Sequence, residues 1–275
     1  MKHFINFIKG MIIGIANIIP GVSGGTMAVT TGIYEQLISS IGNFFKKFKE
    51  TFVENMKFLV PIGLGAVIGI VLFSKLLRYL LDNFEMATKF AFMGLIIGSF
   101  PLIFKNSVSK GFKKKNLIPF VITFAIGLTL TILQMMGIAG TEVQSFDMNF
   151  VTVVLLFVYG AIAASAMVVP GISGSFILLL IGVYKAILSA VSSLNIPVLI
   201  PFALGAAVGV IAIAKLIDVL LNKWHGGTYF AIIGFIIGTL PAIFPGFAFN
   251  MQGIISIIVF VVGVVLSYLA SKLES

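Results

Sequence analysis

A short motif that interrupts apolar sequence occurs twice in this chain and constrains its fold more than any other feature. The first copy, residues 20–26, reads Pro-Gly-Val-Ser-Gly-Gly-Thr, and the second, residues 170–175, reads Pro-Gly-Ile-Ser-Gly-Ser. A Gly-x-Tyr sequence follows each copy at the same distance, at residues 32–34 and 182–184. Non-helical backbone is tolerated within a membrane only where protein or a water-filled cavity surrounds it. Two related interruptions, one in each half, therefore indicate the binding site of a transporter built from repeats.

The composition requires a membrane environment. Of the 275 residues, 59% are hydrophobic and 10% are charged, whereas about a quarter of the residues in a soluble domain are charged. The apolar runs do not alternate and are about 18–24 residues long, which predicts an all-α polytopic membrane protein. The absence of cysteine excludes thiolate chemistry. The net charge of +9 comes from lysines between apolar runs, where they set topology, so we expect no nucleic-acid partner.

The chain divides into two similar halves, residues 1–145 and 146–275, which together form one predicted membrane domain. The sequence Leu-Gly-Ala at residues 64–66 returns at residues 204–206, and the segment 88–101 returns at 228–241. Self-similarity over this length indicates two copies of one structural unit. The predicted elements are a hairpin at 4–43 with spans 58–81, 87–104 and 117–138, then a hairpin at 150–194 with spans 198–221, 228–244 and 252–271.

The distribution of lysines predicts the orientation of these elements. The positive-inside rule places the lysine-rich segment 105–115 in the cytoplasm, the link 140–149 outside and both termini in the cytoplasm. Each half then contains a hairpin that crosses an even number of times and three spans, so the two repeats have inverted topology. The arms of the first hairpin have about 16 residues, near or below the spanning length. We interpret both hairpins as re-entrant, with tips near the midplane, although two short full crossings would give the same parity.

The N-terminal apolar run is expected to remain in the mature protein. It lacks a small-x-small cleavage site and continues directly into the first motif.

The chemistry of the two motifs suits an anion. Proline ends the first arm of each hairpin, and glycine permits backbone conformations and close approaches that other residues do not. Ser23 and Ser173 are positioned to cap the following helix, whose free amides and positive end would attract phosphate. The motifs could also serve only as tight turns, but their occurrence in both halves favours a substrate site. The candidate phosphate-binding residues at the tips are Gly21, Ser23, Gly24, Gly25, Thr26, Gly171, Ser173, Gly174 and Ser175.

Charged residues inside the apolar spans are further candidates, because charge within a membrane is costly and usually functional. Lys75 and Lys215 occupy equivalent places in the two halves, and Arg78 could hold a phosphate with two parallel hydrogen bonds. The alternative for each is that the side chain extends to the membrane interface. The candidates for coupling or gating are Asn17, Tyr34, Glu35, Tyr184 and Lys185.

The sequence argues against an enzyme. Residues 21–24 match the Gly-x-Ser-Gly of rhomboid-type intramembrane proteases, but such an enzyme needs a base beside the serine. The only histidines, His3 and His225, are near the predicted membrane surfaces, and there is no His-Glu-x-x-His zinc motif. We therefore expect no catalytic residue, no metal and no cofactor, and we interpret Ser23 and Ser173 as caps and hydrogen-bond donors.

Residues 14–26 (Gly-Ile-Ala-Asn-Ile-Ile-Pro-Gly-Val-Ser-Gly-Gly-Thr) and 169–176 (Val-Pro-Gly-Ile-Ser-Gly-Ser-Phe), with the two Gly-x-Tyr sequences, resemble a bacterial family. This family, formerly a membrane domain of unknown function, comprises undecaprenyl-phosphate (polyprenyl-phosphate) translocases. The resemblance covers essentially the whole chain. Many members have Asp where this chain has Asn17, so a proton-carrying role does not transfer to this position.

The resemblance implies a flippase in the bacterial plasma membrane. Its substrate would be undecaprenyl phosphate, moved from the outer to the cytoplasmic leaflet for recycling in cell-wall synthesis, and its other partner would be membrane lipid. The residues alone predict only an inverted-repeat transporter for an anion. A transporter or channel for a small soluble anion, using the same tips, is the alternative, and a purely structural membrane protein would leave the paired tips unexplained.

Overall fold

The computed structural model describes residues 2–18, 23–44, 48–138, 140, 143 and 145–273. These residues form helices and no strands, which confirms the predicted all-α class. The helices are α1 (Lys2–Ile18), α2 (Gly24–Thr30), α3 (Tyr34–Gly42), α4 (Phe48–Gly98), α5 (Phe100–Val108), α6 (Leu117–Met135), α7 (Phe150–Val168), α8 (Gly174–Ile181), α9 (Tyr184–Ser192), α10 (Ile196–Lys223), α11 (His225–Thr239) and α12 (Met251–Leu273), with short 3₁₀ turns at Lys114–Asn116 and Leu240–Ala242.

Seven stretches of the described residues are long and apolar enough to cross a membrane, so the chain is a multi-pass membrane protein. Six of them overlap the six spans expected from the sequence. The seventh is α7, the first arm of the second hairpin, whose 19 residues extend about 28 Å at 1.5 Å per residue. The stretches are Phe52–Phe73, Tyr79–Val108, Lys114–Met135, Phe150–Val168, Ile196–Lys223, His225–Ala242 and Met251–Ala270.

The returning arm of each hairpin is two short helices rather than the single apolar arm expected from the sequence. In the second half, α8 and α9 meet at a bend of 118°. Gly182 ends α8 in the left-handed conformation at φ +85, and Gly32 has φ +70 at the equivalent place after α2. Glycine adopts this conformation without the steric cost of a Cβ. The glycines of the two Gly-x-Tyr sequences therefore break the arms and redirect the chain.

Glycine seams hold the first arm of each hairpin parallel to the first long helix of its own half. A Cβ on Gly14 of α1 would lie 2.2 Å from the carbonyl oxygen of Ala66 on α4. Equivalent close approaches join α7 to α10, where a Cβ on Gly209 would lie 2.2 Å from the carbonyl oxygen of Ala161. A Cβ at these distances would force the helices apart, and small residues are what allow membrane helices to pack closely.

The two halves interlock through their last helices. In α4 beyond Phe84, Gly94 and Gly98 pack on α12, and in α11 Gly234 and Gly238 pack on α6. Each pair joins a helix of one half to the last helix of the other, and both pairs run parallel. The buried core accordingly contains residues from both halves, including Met27, Ile96 and Ile236. The interlocked halves form one packed unit.

Two of the helical segments in these pairs, the part of α4 after Phe84 and α11, are preceded by backbone breaks of the same geometry. Phe84 interrupts α4 with φ −137 and ψ 40, and Trp224 separates α10 from α11 with φ −133 and ψ 50. The two residues are equivalent in the alignment that matches segment 88–101 with 228–241. The correspondence of the two halves therefore extends from sequence to backbone conformation.

Candidate functional site

The two motifs, 150 residues apart in sequence, come together in the fold. The amide of Gly171 donates to Thr26 Oγ1 at 2.8 Å, and the Tyr34 hydroxyl donates to the carbonyl oxygen of Val168 at 3.2 Å. A Cβ on Gly25 would lie 2.8 Å from that same oxygen. Position 25 must therefore be glycine for the second tip to approach this closely.

The first tip satisfies its own amides. Ser23 is the N-cap of α2, as predicted, and its hydroxyl accepts a hydrogen bond from the Gly25 amide at 3.2 Å. The Gly24 amide donates to Asn17 Oδ1 at 3.1 Å, while Asn17 Nδ2 donates to the carbonyl oxygen of Ile13. Ser23 and Thr26 are buried. The expectation that these amides are free for a ligand is wrong for the first tip, because Asn17 and Ser23 occupy two of them.

The second tip is built differently. Ser173 stands at the N-cap position of α8, but its side chain makes no capping bond, and its Oγ lies 2.8 Å from Ser175 Oγ. The prediction that Ser173 caps this helix is therefore wrong. The residue equivalent to Asn17 is Met167, which packs against Gly174 but has no strong acceptor to offer an amide. The first amides of α8 thus lack a side-chain cap, and Ser175 beside them is exposed.

Both tips lie about half way along the spans that surround them. Gly171 packs against Phe235, ten residues into α11, which is about 15 Å from the start of that helix at 1.5 Å per residue. Ser23 and Thr26 line a cavity with Ile96, twelve residues beyond the break at Phe84, or about 18 Å. These depths are close to half of a hydrocarbon core about 30 Å thick.

The space between the tips is small. Two cavities of about 10 Å³ each adjoin Gly171, one lined by Ser23 and Thr26 and the other by Ser173 and Gln134. A cavity of roughly 10–15 Å³ is the smallest that holds one water molecule. In this conformation the two tips are therefore closed on each other, and a phosphate headgroup has no room at these two cavities.

Two hydroxyl residues at the tips were not predicted from the sequence. Thr239 lines both small cavities, and a Cβ on Gly171 would lie 2.7 Å from its Oγ1. Ser99, the equivalent residue of the first half, is fully buried; its Oγ lies 2.6 Å from the carbonyl oxygen of Ile96 and 3.3 Å from Thr30 Oγ1 at the end of α2. A signal was present in the sequence, because each residue lies two positions before a proline in equivalent segments of the two halves.

Several contacts join α3 to the second half of the chain. Asn43 Nδ2 donates to Asp218 Oδ2 at 2.8 Å, and His225 Nε2 lies 3.0 Å from Glu35 Oε1. A Cβ on Gly42 would lie 2.8 Å from the Cα of Lys215, whose side chain is exposed. These contacts, which we call the α3–α10 contact, place two of the predicted candidates, Glu35 and Lys215, at one surface of the molecule.

The equivalent helix of the second half packs differently. Residues of α9 such as Val183 and Ile187 pack with Leu156 of α7 and Val198 of α10, within their own half, and Tyr184 joins this cluster. Within the described residues α9 has no packing on α4 comparable to that of α3 on α10. The side chain of Lys185, the residue equivalent to Glu35, is exposed. The two equivalent helices therefore pack differently, α3 against the opposite half and α9 within its own half.

Three of the predicted site residues fall outside the part that the structure describes. Gly21 precedes the described residues of the first tip. Lys75 and Arg78 lie in α4 before Phe84, but their side chains are outside the described part.

Comparisons with known proteins identify the family. The model of the VCA0040-like family, described as undecaprenyl phosphate translocase-like, matches residues 13–255. The chain belongs to this undecaprenyl phosphate translocase-like family. The sequence resemblance is thereby confirmed.

Two curated relatives of this translocase-like chain carry the same name. A polyprenyl-phosphate transporter of Staphylococcus aureus is 34% identical over 285 residues, covering 100% of this chain and 99% of the relative. A polyprenyl-phosphate transporter of Vibrio cholerae is 31% identical over 255 residues, covering 89% of this chain and 79% of the relative. No solved structure matches the chain.

Proposed function

We propose that this protein is a lipid transporter rather than an enzyme. It moves undecaprenyl phosphate from the outer to the cytoplasmic leaflet of the bacterial plasma membrane, for recycling in cell-wall synthesis. The family and the names of the two relatives support a polyprenyl-phosphate substrate. The observation that carries the proposal is the hydrogen bond from the Gly171 amide to Thr26, which joins the two motifs about half way through the spans.

The substrate explains why polar tips are needed at this depth. Moving a charged phosphate through hydrocarbon costs free energy, whereas the apolar polyprenyl tail remains in the hydrocarbon without such a cost. Hydrogen-bond donors at mid-depth lower the barrier for the headgroup alone. The second tip provides them, through the hydroxyls of Ser173 and Ser175 and the amides of α8, which has no side-chain cap. Gly171 and Gly174 leave room for the backbone to approach the ligand.

The first tip acts as the partner that closes on the site. Its amides at Gly24 and Gly25 are held by Asn17 and Ser23, so it presents Thr26 to the second tip instead. When the tips separate, Ser23 and Thr26 would supply further hydroxyl donors to the phosphate. Gly21 remains part of the proposed site as a residue of the motif.

Transport in this proposal uses two inverted repeats, each with a re-entrant hairpin and three spans, in residues 1–145 and 146–275. Two observations support the repeat relation. The backbone breaks at Phe84 and Trp224 are equivalent, and in each half one helix packs on the last helix of the other half. The lysine-rich segment 105–115 orients both termini toward the cytoplasm. The α3–α10 contact then joins the halves on the cytoplasmic side, while α9 on the outer side packs within its own half. Exchange of these two arrangements would give alternating access.

The charged candidates serve the two mouths of this pathway. Lys75 and Arg78 would capture the phosphate from the outer leaflet, and Lys215 would assist its release on the cytoplasmic side. Glu35 holds the cytoplasmic contact through His225, and Tyr34 joins the start of α3 to the second tip through Val168. Tyr184 and Lys185 would form the corresponding contacts outside. Asn17 fixes the first tip but carries no charge to couple transport to protons.

The test is transport by the purified protein in liposomes, with undecaprenyl phosphate supplied to one leaflet and its appearance in the other measured over time. The Ser173→Ala, Ser175→Ala double variant should slow the transfer about tenfold, a loss of roughly 1.4 kcal/mol of headgroup stabilisation. The Ser175→Thr variant keeps the hydroxyl and should transfer faster than Ser175→Ala. Ser193→Ala is the matched control, because the exposed Ser193 hydroxyl donates to the carbonyl oxygen of Ser189 in the preceding turn.

The same liposomes test the alternative function. Transfer of undecaprenyl phosphate no faster than in empty liposomes, together with a protein-dependent flux of inorganic phosphate, would replace the proposal with a small-anion transporter. Unchanged transfer by the double serine variant would remove the second tip from the substrate site.

A further inference from the structure

A large cavity lies away from the paired tips, at the surface where α6 and α11 begin. Its volume is about 660 Å³, in the range of small-ligand sites. Four lysines line it, and no acidic residue is among its lining residues in the described part of the chain. The lysines are Lys110, Lys113, Lys115 and Lys223. We call this the basic cavity.

The backbone around the basic cavity favours the same ligand charge as the lysines. The first three residues of the 15-residue helix α11 are His225, Gly226 and Gly227, and all three line the cavity. The preceding residue provides no side-chain cap, so the amides and the positive end of α11 are available to an anion. His225 Nε2 is engaged by Glu35, whereas its Nδ1 is buried and has no hydrogen-bond partner. A buried group of this kind is normally satisfied by protein, water or ligand.

The fold itself does not require a basic cavity at this place. In the first half, the positions equivalent to Asn222, Lys223 and His225 are Asp82, Asn83 and Glu85. Both halves have an aromatic contact nearby: the ring centres of Phe90 and Phe244 are 5.9 Å apart, and those of the equivalent residues Phe230 and Phe104 are 6.3 Å apart. The two halves share the same backbone break and an equivalent aromatic contact, but the residues beside the break include two carboxylates in the first half and a lysine and a histidine in the second.

The position of the basic cavity favours a ligand that is part of a lipid. It lies at the ends of membrane-spanning helices on the lysine-rich side, which the positive-inside rule places in the cytoplasm. Pro119, Leu220 and Ala231 contribute apolar walls, and Trp224, 68% exposed, has the position of an interfacial anchor. Basic pockets between spanning helices on this side of a membrane suit phosphorylated headgroups.

We propose that the basic cavity is a binding site for a phosphate monoester, presented by a lipid of the cytoplasmic leaflet. Four lysines and no acidic residue line the described part of the basic cavity. This positive charge matches the nearly double negative charge of a phosphate monoester better than the single charge of a phosphodiester. The site is separate from the paired tips. The transported lipid is itself a phosphate monoester and would also fit it, but binding of phosphatidic acid is measured without transport.

The experiment uses the tryptophan in the cavity wall, which is the single tryptophan of the chain. The full-length protein in detergent is titrated with short-chain phosphatidic acid, short-chain phosphatidylglycerol or inorganic phosphate while Trp224 fluorescence is recorded. Phosphatidic acid should give a saturable change at concentrations where phosphatidylglycerol gives at most a tenth of the occupancy. Lys113→Gln and Lys223→Gln should each weaken this binding roughly tenfold. Lys114→Gln is the matched control, since Lys114 lies in the same segment but not in the cavity wall.

Each outcome decides the proposal. If inorganic phosphate competes only weakly with phosphatidic acid, the lipid source is supported, and if it competes equally, the monoester site stands but its ligand is free phosphate. Equal binding of phosphatidylglycerol would refute the preference for a monoester. No saturable change with any of the three ligands, or equal effects of Lys113→Gln and Lys114→Gln, would refute the site.

Discussion

Replacing Thr26 with valine tests the contact between the two tips most directly. Thr26 Oγ1 accepts the hydrogen bond of the Gly171 amide at 2.8 Å, and Thr26 is only 3% exposed. Valine keeps the branched shape but removes the oxygen, which leaves a buried amide unsatisfied at a cost of about 1–3 kcal/mol. If that cost falls on the closed arrangement alone, the population with separated tips rises roughly 5- to 150-fold.

The assay uses the absence of cysteine from the chain. A Thr239→Cys reporter lines both small cavities, which admit no more than about one water each while the tips are closed. The cysteine should react with a small charged methanethiosulfonate roughly 5- to 150-fold faster in the Thr26→Val background. This factor applies when the separated tips close again faster than the reagent modifies the cysteine.

Two companions control the result. Thr26→Ser keeps the acceptor oxygen and should react at a rate close to that of the parent reporter. Thr129→Val removes an exposed hydroxyl that bonds only to Ala125 of its own helix, and it should have no effect. The reasoning fails if Thr26→Val leaves the rate unchanged, or if Thr129→Val accelerates it equally.

Two further predictions concern the backbone and the topology. Gly182→Ala should lower the free energy of unfolding by about 1–2 kcal/mol, because φ is +85 there. Gly63→Ala is the control and should not lower it, because a Cβ at position 63 of α4 meets open space. Both are measured by thermal unfolding in detergent. In intact cells, an impermeant thiol reagent should label Met148→Cys from outside, whereas Lys114→Cys should react only after the membrane is permeabilised. The reverse pattern would contradict the proposed orientation.

The sequence by itself determined the class of the protein and the positions of the two motifs that interrupt its apolar runs. Apolar runs of spanning length leave helices as the backbone solution within lipid, because each helix satisfies its own amides. Glycine and proline break such helices through local backbone geometry, so the interruptions at residues 20–26 and 170–175 were readable without any tertiary information, whereas the break at Gly182 was missed. Ser23 was recognisable as a cap for the same reason, since a cap acts on its own helix.

Tertiary structure decided what depends on residues distant in sequence. The same serine of the motif caps its helix at the first tip but not at the second, where the Ser173 hydroxyl lies beside Ser175 Oγ instead. The packing of α3 on the opposite half, with no comparable packing of α9, distinguishes two nearly equivalent segments, since similar repeats can occupy different positions in one conformation. Lysines interpreted mainly as topology signals also line a cavity, because the loop before α6 and the start of α11 are brought together by packing across 110 residues.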